Sequence, residues 1–316
     1  MSEVFKILSI DGGGYRGVYA AHILKRIEEQ YGIGWINRFN LIAGTSTGAI
    51  IAAALACNFP ASKIQSFYKE YGRQIFKKRF FHWLGLFASR YNNKDIENIL
   101  RDLYGADRKL GQIDIPLVLP ASDVGNGCVH VLKSTYDKEF SRDKNRLLYK
   151  AVLASCSAPT FFDPYYMDNY LLADGGLWAN NPALIAAIEA KRRLGQKLDN
   201  LMILSIGTGE GKNFYSQTNQ WWKKLFGWGF FTRWGGQKFI GMLLSLQSQT
   251  TTNMIKLLFE PNQILRINFK SDKTLKLDDP NEYSTLVTLA DNDFKNNSQK
   301  IQEFLGYNSG GKNGAG

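Results

Sequence analysis

Histidine is scarce in this chain: His22, His82 and His130 are the whole supply among 316 residues. The scarcity limits the chemistry, because a serine or cysteine nucleophile usually borrows an imidazole as its base and a zinc site usually collects several Cys and His at close spacing. Cysteine is as thin. Cys57, Cys128 and Cys156 are odd in number and irregularly spaced, which speaks against a disulfide framework and for reduced, buried thiols in a cytoplasmic protein. No run reaches the ~18 apolar residues of a spanning helix, and "MSEVFKILSI" has neither a long apolar stretch nor a cleavage site. Any membrane contact is expected to be peripheral. Acidic side chains number 28 against 39 Lys and Arg, a net charge of +11, so an anionic partner is expected: phospholipid, an acidic small ligand or nucleic acid. Zinc-finger spacing, a basic zipper and an RNP-like aromatic motif are all missing, which sets DNA and RNA aside.

What is present reads as strands alternating with helices. "VFKILSI" at 4–10 and "FNLIAG" at 39–44 are short apolar runs suited to buried strands; a helical pattern follows the first and the alanine-rich "GAIIAAALAC" follows the second. "IPLVLPASDV", "CVHVLKS", "YLLADGG" and "LMILSIGTG" continue the strands, with helices predicted through "LLYKAVLASCSAP" and "NPALIAAIEAKRRLG", the latter capped by Asn180 or Asn181. This alternation predicts an α/β fold, a three-layer α/β/α sandwich on a mostly parallel sheet, with the functional crevice at the strands' carboxyl ends. The reading takes 1–307 as a single domain with its core at about 5–210, and 308–316, "NSGGKNGAG", as a flexible tail with nothing to bury.

"LIAGTSTGAI" places Gly44, Ser46 and Gly48 in a G-x-S-x-G pattern between a strand and a helix. Such a sharp turn thrusts the serine out of the sheet, and the helix behind it turns its positive end toward the attacked centre. A base is then needed. His130, with Asp107, Asp114 or Asp123 before it, is the one histidine in the order Ser, Asp, His; His22 reads as a packing or capping residue and His82 as part of an aromatic segment. Asp174, where a predicted strand gives way to Gly175 and Gly176, is the other candidate, since a desolvated carboxylate within reach of a serine hydroxyl can take its proton.

The opening "DGGGYRG" admits two readings. Gly12, Gly14 and Gly17 satisfy G-x-G-x-x-G, which suits a nucleotide-binding signalling module, but the acidic residue that should end the second strand is missing, since that strand ends in Gly44. The alternative is backbone N–H groups aimed at a transient oxyanion, for which adjacent glycines allow the close approach.

Taken in order, "DGGGYRG" at 11–17, "GTSTG" at 44–48, "ASCSAPTFF" at 154–162 and "DGGLWANNPA" at 174–183 resemble the patatin-like phospholipases. The resemblance implies a phospholipase A type acyl hydrolase working through an acyl-enzyme on membrane phospholipid, with Ser46 as nucleophile, Asp174 as base, Gly12, Gly13 and Gly14 as oxyanion hole, and no metal or cofactor. Cys156 then reads as a small buried filler, and Arg16 as a donor either to neighbouring backbone or to a lipid phosphate. Short members of the family that begin almost at the glycine block also resemble the phospholipase effectors of cyclic-oligonucleotide anti-phage signalling, which implies a cyclic oligonucleotide activator. A homo-oligomer is compatible with the sequence. Beyond about residue 210 the resemblance fades, yet "WWKKLFGWGFFTRW" sets Trp221, Trp222, Trp228 and Trp234 beside Lys223 and Lys224. That mixture suits either headgroup contact or an aromatic core or subunit interface, and "KKRFFHWLGLF" at 77–87 repeats it.

Overall fold

The computed structural model describes residues 4–77, 89–211, 215, 234, 237–271 and 276–307. Its strands are β1 (Phe5–Ile10), β2 (Leu41–Gly44), β3 (Leu117–Asp123), β4 (Cys128–Lys133), β5 (Tyr165–Met167), β6 (Tyr170–Asp174), β7 (Leu201–Ile206), β8 (Glu210–Gly211), β9 (Ile264–Ile267) and β10 (Lys270–Ser271). The helices used below are α1 (Gly17–Tyr31), α2 (Thr47–Ala56), α3 (Ala61–Ile75), α4 (Asn93–Tyr104), α5 (Leu148–Cys156), α6 (Gly176–Ala179), α7 (Ala183–Arg193), α8 (Gln237–Leu258) and α9 (Tyr283–Leu305).

Alternate residues of each central strand sort to opposite faces of the sheet, as the period of two requires. Leu8, Ile10 and Ile42 join a large core with residues of α1 to α5 and α9, whereas Ile7, Leu41 and Ala43 join a second core with Ala183, Ala186, Ala187 and Ala190 of α7 and Ile255 of α8. Both faces are therefore covered, which is the three-layer α/β/α arrangement. It also explains why these strands read as unbroken apolar runs. α2 is apolar all round and lies wholly inside, with every residue from Thr47 to Leu55 buried.

Five strands run parallel in the order β3, β2, β1, β7, β9, and β4, β5 and β6 are antiparallel additions. The register around β3 positions the site. β4 pairs with β3 from Val118 to Asp123 and so occupies one whole edge. β2 and β6 must share the other: β2 is parallel to it at Leu117 and Val118, and β6 antiparallel at Ala121 to Asp123. The carboxyl ends of β2 and β6 consequently point at each other. The sequence reading placed Asp174 at a strand's carboxyl end without showing that this strand descends against the parallel ones.

Residues 237–307 are not an appendage. β9 extends the sheet beside β7, α9 packs along α1, and Arg266 of β9 forks onto Asp11 just past β1, its Nη1 and Nη2 donating at 2.7 and 2.6 Å. Ser248 of α8 donates to the same carboxylate at 2.7 Å, and Arg266 also reaches Ser205 of β7 at 2.7 Å. Among the described residues, no helix is long and apolar enough to cross a membrane. Cys128, expected to be buried, lies exposed on β4, while Cys156 is buried.

Both partners of the Asp11–Arg266 pair are buried, so removing one leaves the other charge without compensation. Asp11→Ala is expected to destabilise the full chain by about 3–5 kcal/mol in denaturant titration; a change below about 1 kcal/mol would show that water or a neighbour replaces the carboxylate.

Candidate active site

Ser46 occupies the turn between β2 and α2 with φ 55° and ψ −124°. A non-glycine residue held there stores on the order of 1–3 kcal/mol and persists only where its surroundings fix it. The flanking glycines explain how the turn closes. A Cβ on Gly44 would strike the Gly48 carbonyl, and one on Gly48 would strike the carbonyls of Ile10 and Asp11. Thr45 secures the turn from the other side by donating its hydroxyl to Ala179 O at 2.7 Å.

Asp174 ends β6 and is 3% exposed. Its register partner is Ala121, while β2 meets the same edge at Val118, so the chain leaving β2 at Gly44 turns out level with it. Its carboxylate lies beside the Ser46 side chain, which favours the anion, and accepts the Gly176 N–H at 2.6 Å. Burial raises the Asp174 carboxyl to about 6, and the bonds from Ser46 and Gly176, which favour the anion, hold back a larger rise. Ser122 donates to the Asp174 carbonyl at 2.7 Å, and the Asp174 N–H donates to Ser157 O at 2.9 Å.

The glycine loop lies against this pair, but its three glycines are not equivalent. Gly12 N–H donates to Asn180 O at 3.0 Å and Gly12 O accepts from Thr208 Oγ1 at 2.5 Å, so Gly12 leaves the expected set of oxyanion donors. Gly13 and Gly14 line the cavity beside Ser46, Gly14 at φ +60°. Tyr15 N–H goes to Leu277 O at 2.7 Å. Arg16 donates through its backbone N–H and through Nε to Gly13 O, at 3.2 and 3.3 Å. Of its two expected roles the structure has the backbone one; burial lowers its guanidinium to about 10 against the opposing charge of Asp11. The N–H groups of Gly12, Tyr15 and Arg16 are thus turned to protein carbonyls and not to a phosphate. Gly17 starts α1, pressed against Thr47 and Tyr68.

A cavity of about 660 Å³, including its open mouth, extends from this polar end and is walled by Ile50, Phe161, Leu244 and Leu277 among other apolar side chains. Its apolar lining suits a fatty acyl chain.

The histidine alternative is not assembled. His130 lies on β4, with β3 between it and the edge that carries Ser46 and Asp174; its ring meets Arg146 Nη1 at 3.1 Å and stacks edge-on against Tyr170. Burial, with Arg142 and Arg146 adding to it, lowers His130 to about 4. Asp107 and Asp114 are exposed, and Asp123 accepts from Gly125 and Asn126 of its own turn. His22 is buried between Gln65 and Asp291. Among the described residues no group of three His, Cys, Asp or Glu could hold a metal ion. Asn181 caps α7 through Ala183 N–H at 3.0 Å, whereas Asn180 braces the glycine loop. His82, Trp221, Trp222, Lys223, Lys224, Trp228 and the 308–316 tail lie outside the described residues; Trp234 is half-buried against Tyr215 and Phe239. Sequence reasoning missed Ser155 and Thr208, lone hydroxyls whose partners are 109 and 196 residues away.

Residues 8–187 match the family described as patatin-like phospholipase. The chain belongs to the patatin-like phospholipase family. As a member it is a lipid acyl hydrolase. It is 30% identical over 311 residues to a cGAMP-activated phospholipase of Escherichia coli strain TW11681, covering 90% of this chain and 83% of that one. It is 30% identical over 217 residues to a cUMP-AMP-activated phospholipase of Escherichia coli, covering 66% of this chain and 65% of that one, and 27% identical over 343 residues to Patatin-like protein 1 of Arabidopsis thaliana, covering 94% and 80%.

Burial of Asp174 in this patatin-like site has a stability consequence. The folded carboxyl titrates near 6 against an ordinary value of 3.8, so between those values the unfolded chain gives up its proton first and stability falls as pH rises. Asp174→Asn is therefore expected to stabilise the fold at pH 7 by up to about 3 kcal/mol, with the gain vanishing below pH ~4. Equal denaturation midpoints for the two proteins at pH 7 and pH 4 would show that the carboxyl is not perturbed.

Proposed function

We propose that this chain is a phospholipase A type enzyme that cleaves acyl esters of membrane glycerophospholipids through Ser46 and Asp174, and that a cyclic oligonucleotide switches it on. The observation that carries the first part is a buried carboxylate beside the side chain of a serine held at positive φ, at the polar end of an apolar cavity. Asp174 takes the proton of Ser46 Oγ as that oxygen attacks the acyl carbonyl. Negative charge then collects on the carbonyl oxygen, beside the backbone of Gly13 and Gly14 and the positive end of α2. When the ester bond breaks, the proton passes from Asp174 to the departing alkoxide, which leaves as a lysophospholipid. A water molecule, deprotonated by the same carboxylate, attacks the acyl-enzyme, releases the fatty acid and returns the proton to Ser46.

Two features support the regulatory and membrane parts. The similar bacterial chains are a cGAMP-activated and a cUMP-AMP-activated phospholipase. The net charge of +11 favours both an anionic messenger and an anionic bilayer surface.

Ser46→Ala is expected to abolish release of fatty acid from phosphatidylglycerol vesicles, and turnover near the wild-type rate would remove Ser46 from the mechanism. In the unmodified protein kcat/KM should rise with pH through about 6, since the base works only as the anion and is lost as pH falls; a flat profile between pH 5 and 7 would point to another base. The activator is tested on the same vesicles with a panel of cyclic dinucleotides and trinucleotides: turnover is expected with one of them and near background without. Equal rates with and without every nucleotide would make the enzyme constitutive.

A further inference from the structure

Three consecutive residues at the carboxyl end of α5 each contact Ser46 or Asp174. Ser155 is fully buried; its Oγ accepts the Ser46 N–H at 3.2 Å and donates to Pro120 O of β3 at 2.6 Å. Cys156 Sγ donates to Ser46 O at 3.0 Å, an oxygen that also accepts the first helical N–H, from Ala49, at 2.8 Å. Ser157 O accepts the Asp174 N–H at 2.9 Å, and Ser157 Oγ is tied one turn back to Leu153 O at 2.9 Å. We propose that Ser155, Cys156 and Ser157 form a positioning clamp that sets the separation and alignment of Ser46 and Asp174. This inference rests on the Ser46/Asp174 mechanism proposed above.

The sheet brings the two strand ends onto one edge of β3 but leaves the space between them unbridged. β2 stops pairing with β3 at Val118 and β6 begins only at Ala121, so the edge of β3 at Leu119 and Pro120 is bridged by neither strand. Ser155 fills this gap by reaching Pro120 O from one lone hydroxyl while holding the Ser46 peptide with its oxygen. Ser46 also sits in a backbone conformation, at φ 55°, that would relax if it were not held. Cys156 is thereby more than a filler. Burial, with the charge of Asp174 beside it, raises its thiol well above the ordinary range, so it stays protonated and able to donate. The other groups facing Asp174 are the Ser46 hydroxyl and the Gly176 N–H; the Tyr68 hydroxyl of α3, whose ring lines the same cavity, is taken up by Thr47.

The test compares Ser155→Ala and Cys156→Ala with the conservative variants Ser155→Thr and Cys156→Ser, in the full chain, each without nucleotide and with cGAMP added. A soluble fluorogenic ester reports kcat and KM, kcat/KM is followed from pH 5 to 8, and thermal midpoints are measured in parallel. Ser155→Ala is expected to lower kcat about 10- to 100-fold with KM within about twofold of the unmodified enzyme. It should also move the acid limb to higher pH, because a loosened Ser46 bond no longer holds Asp174 down. Cys156→Ala should shift both in the same direction by less, and Cys156→Ser, which keeps a donor, should restore them. Activity loss that follows the unfolded fraction alone, with kcat per folded molecule and the acid limb unmoved, overturns the clamp. If Ser155→Ala does not fold, the Cys156 variants decide on the same two readouts. Ser46→Ala separates the levels: turnover there refutes the underlying mechanism, whereas a dead Ser46→Ala beside a normal Ser155→Ala refutes only the clamp.

Discussion

A carboxylate kept out of water beside a serine hydroxyl is the constraint around which this fold is arranged. Charged Asp174 at 3% exposure would be costly if unbonded, and the chain supplies it with the Ser46 hydroxyl and the Gly176 N–H. The Gly176 bond is local to the turn after β6, but the approach of Ser46 exists only because β2 and β6 end facing one another on a single edge of β3. The register of one strand is thus a chemical determinant. A slip of β6 by one residue would turn Asp174 to the opposite face of the sheet and put Ala173 in its place.

The remaining structure secures that meeting point against its own strain. Gly44 and Gly48 let the turn close, α2 is buried on every side so that its first turn cannot shift, and the forked Asp11–Arg266 pair pins the glycine loop to β9 and α8. Buried ion pairs are weak sources of net stability, but they are selective about geometry, since a misplaced partner leaves a buried charge alone. The carboxyl-terminal part of the chain, which lies beyond the residues that the family model matches, therefore carries the braces of a site whose motifs all lie before residue 187.

What was legible in the sequence was whatever the chain encodes locally. The strand, Gly44-x-Ser46-x-Gly48 and the alanine-rich helix sit within about twenty residues, and the scarcity of histidine directs attention to Asp174 before any family is considered. What could not be read depends on partners far along the chain. "GGG" presents three equal glycines, and only the fold reveals that Asn180, 168 residues on, takes the N–H of Gly12. His130 looked usable by order alone, yet order does not say that β4 takes the far edge of β3. Ser155 carried no signal at all, because a hydroxyl in "ASCSAP" reads as a small residue until its two partners are in place.

A base without imidazole works within a narrow range, and the site's composition reflects both limits. At its ordinary value of 3.8 an aspartate is a poor acceptor for a serine proton, and desolvation lifts it to about 6, which brings it closer to the task. Further burial would carry it past neutrality and remove the anion that must act. The Ser46 and Gly176 bonds oppose that excess, since both favour the charged form. In the proposed mechanism the hydrogen bond that delivers the proton is therefore also one of the two that keep its acceptor ionised, so alignment and basicity are not independently adjustable. Any residue that shifts Ser46 relative to Asp174 alters both together, which is why a hydroxyl and a thiol on α5 that never touch the substrate still bear on the chemistry.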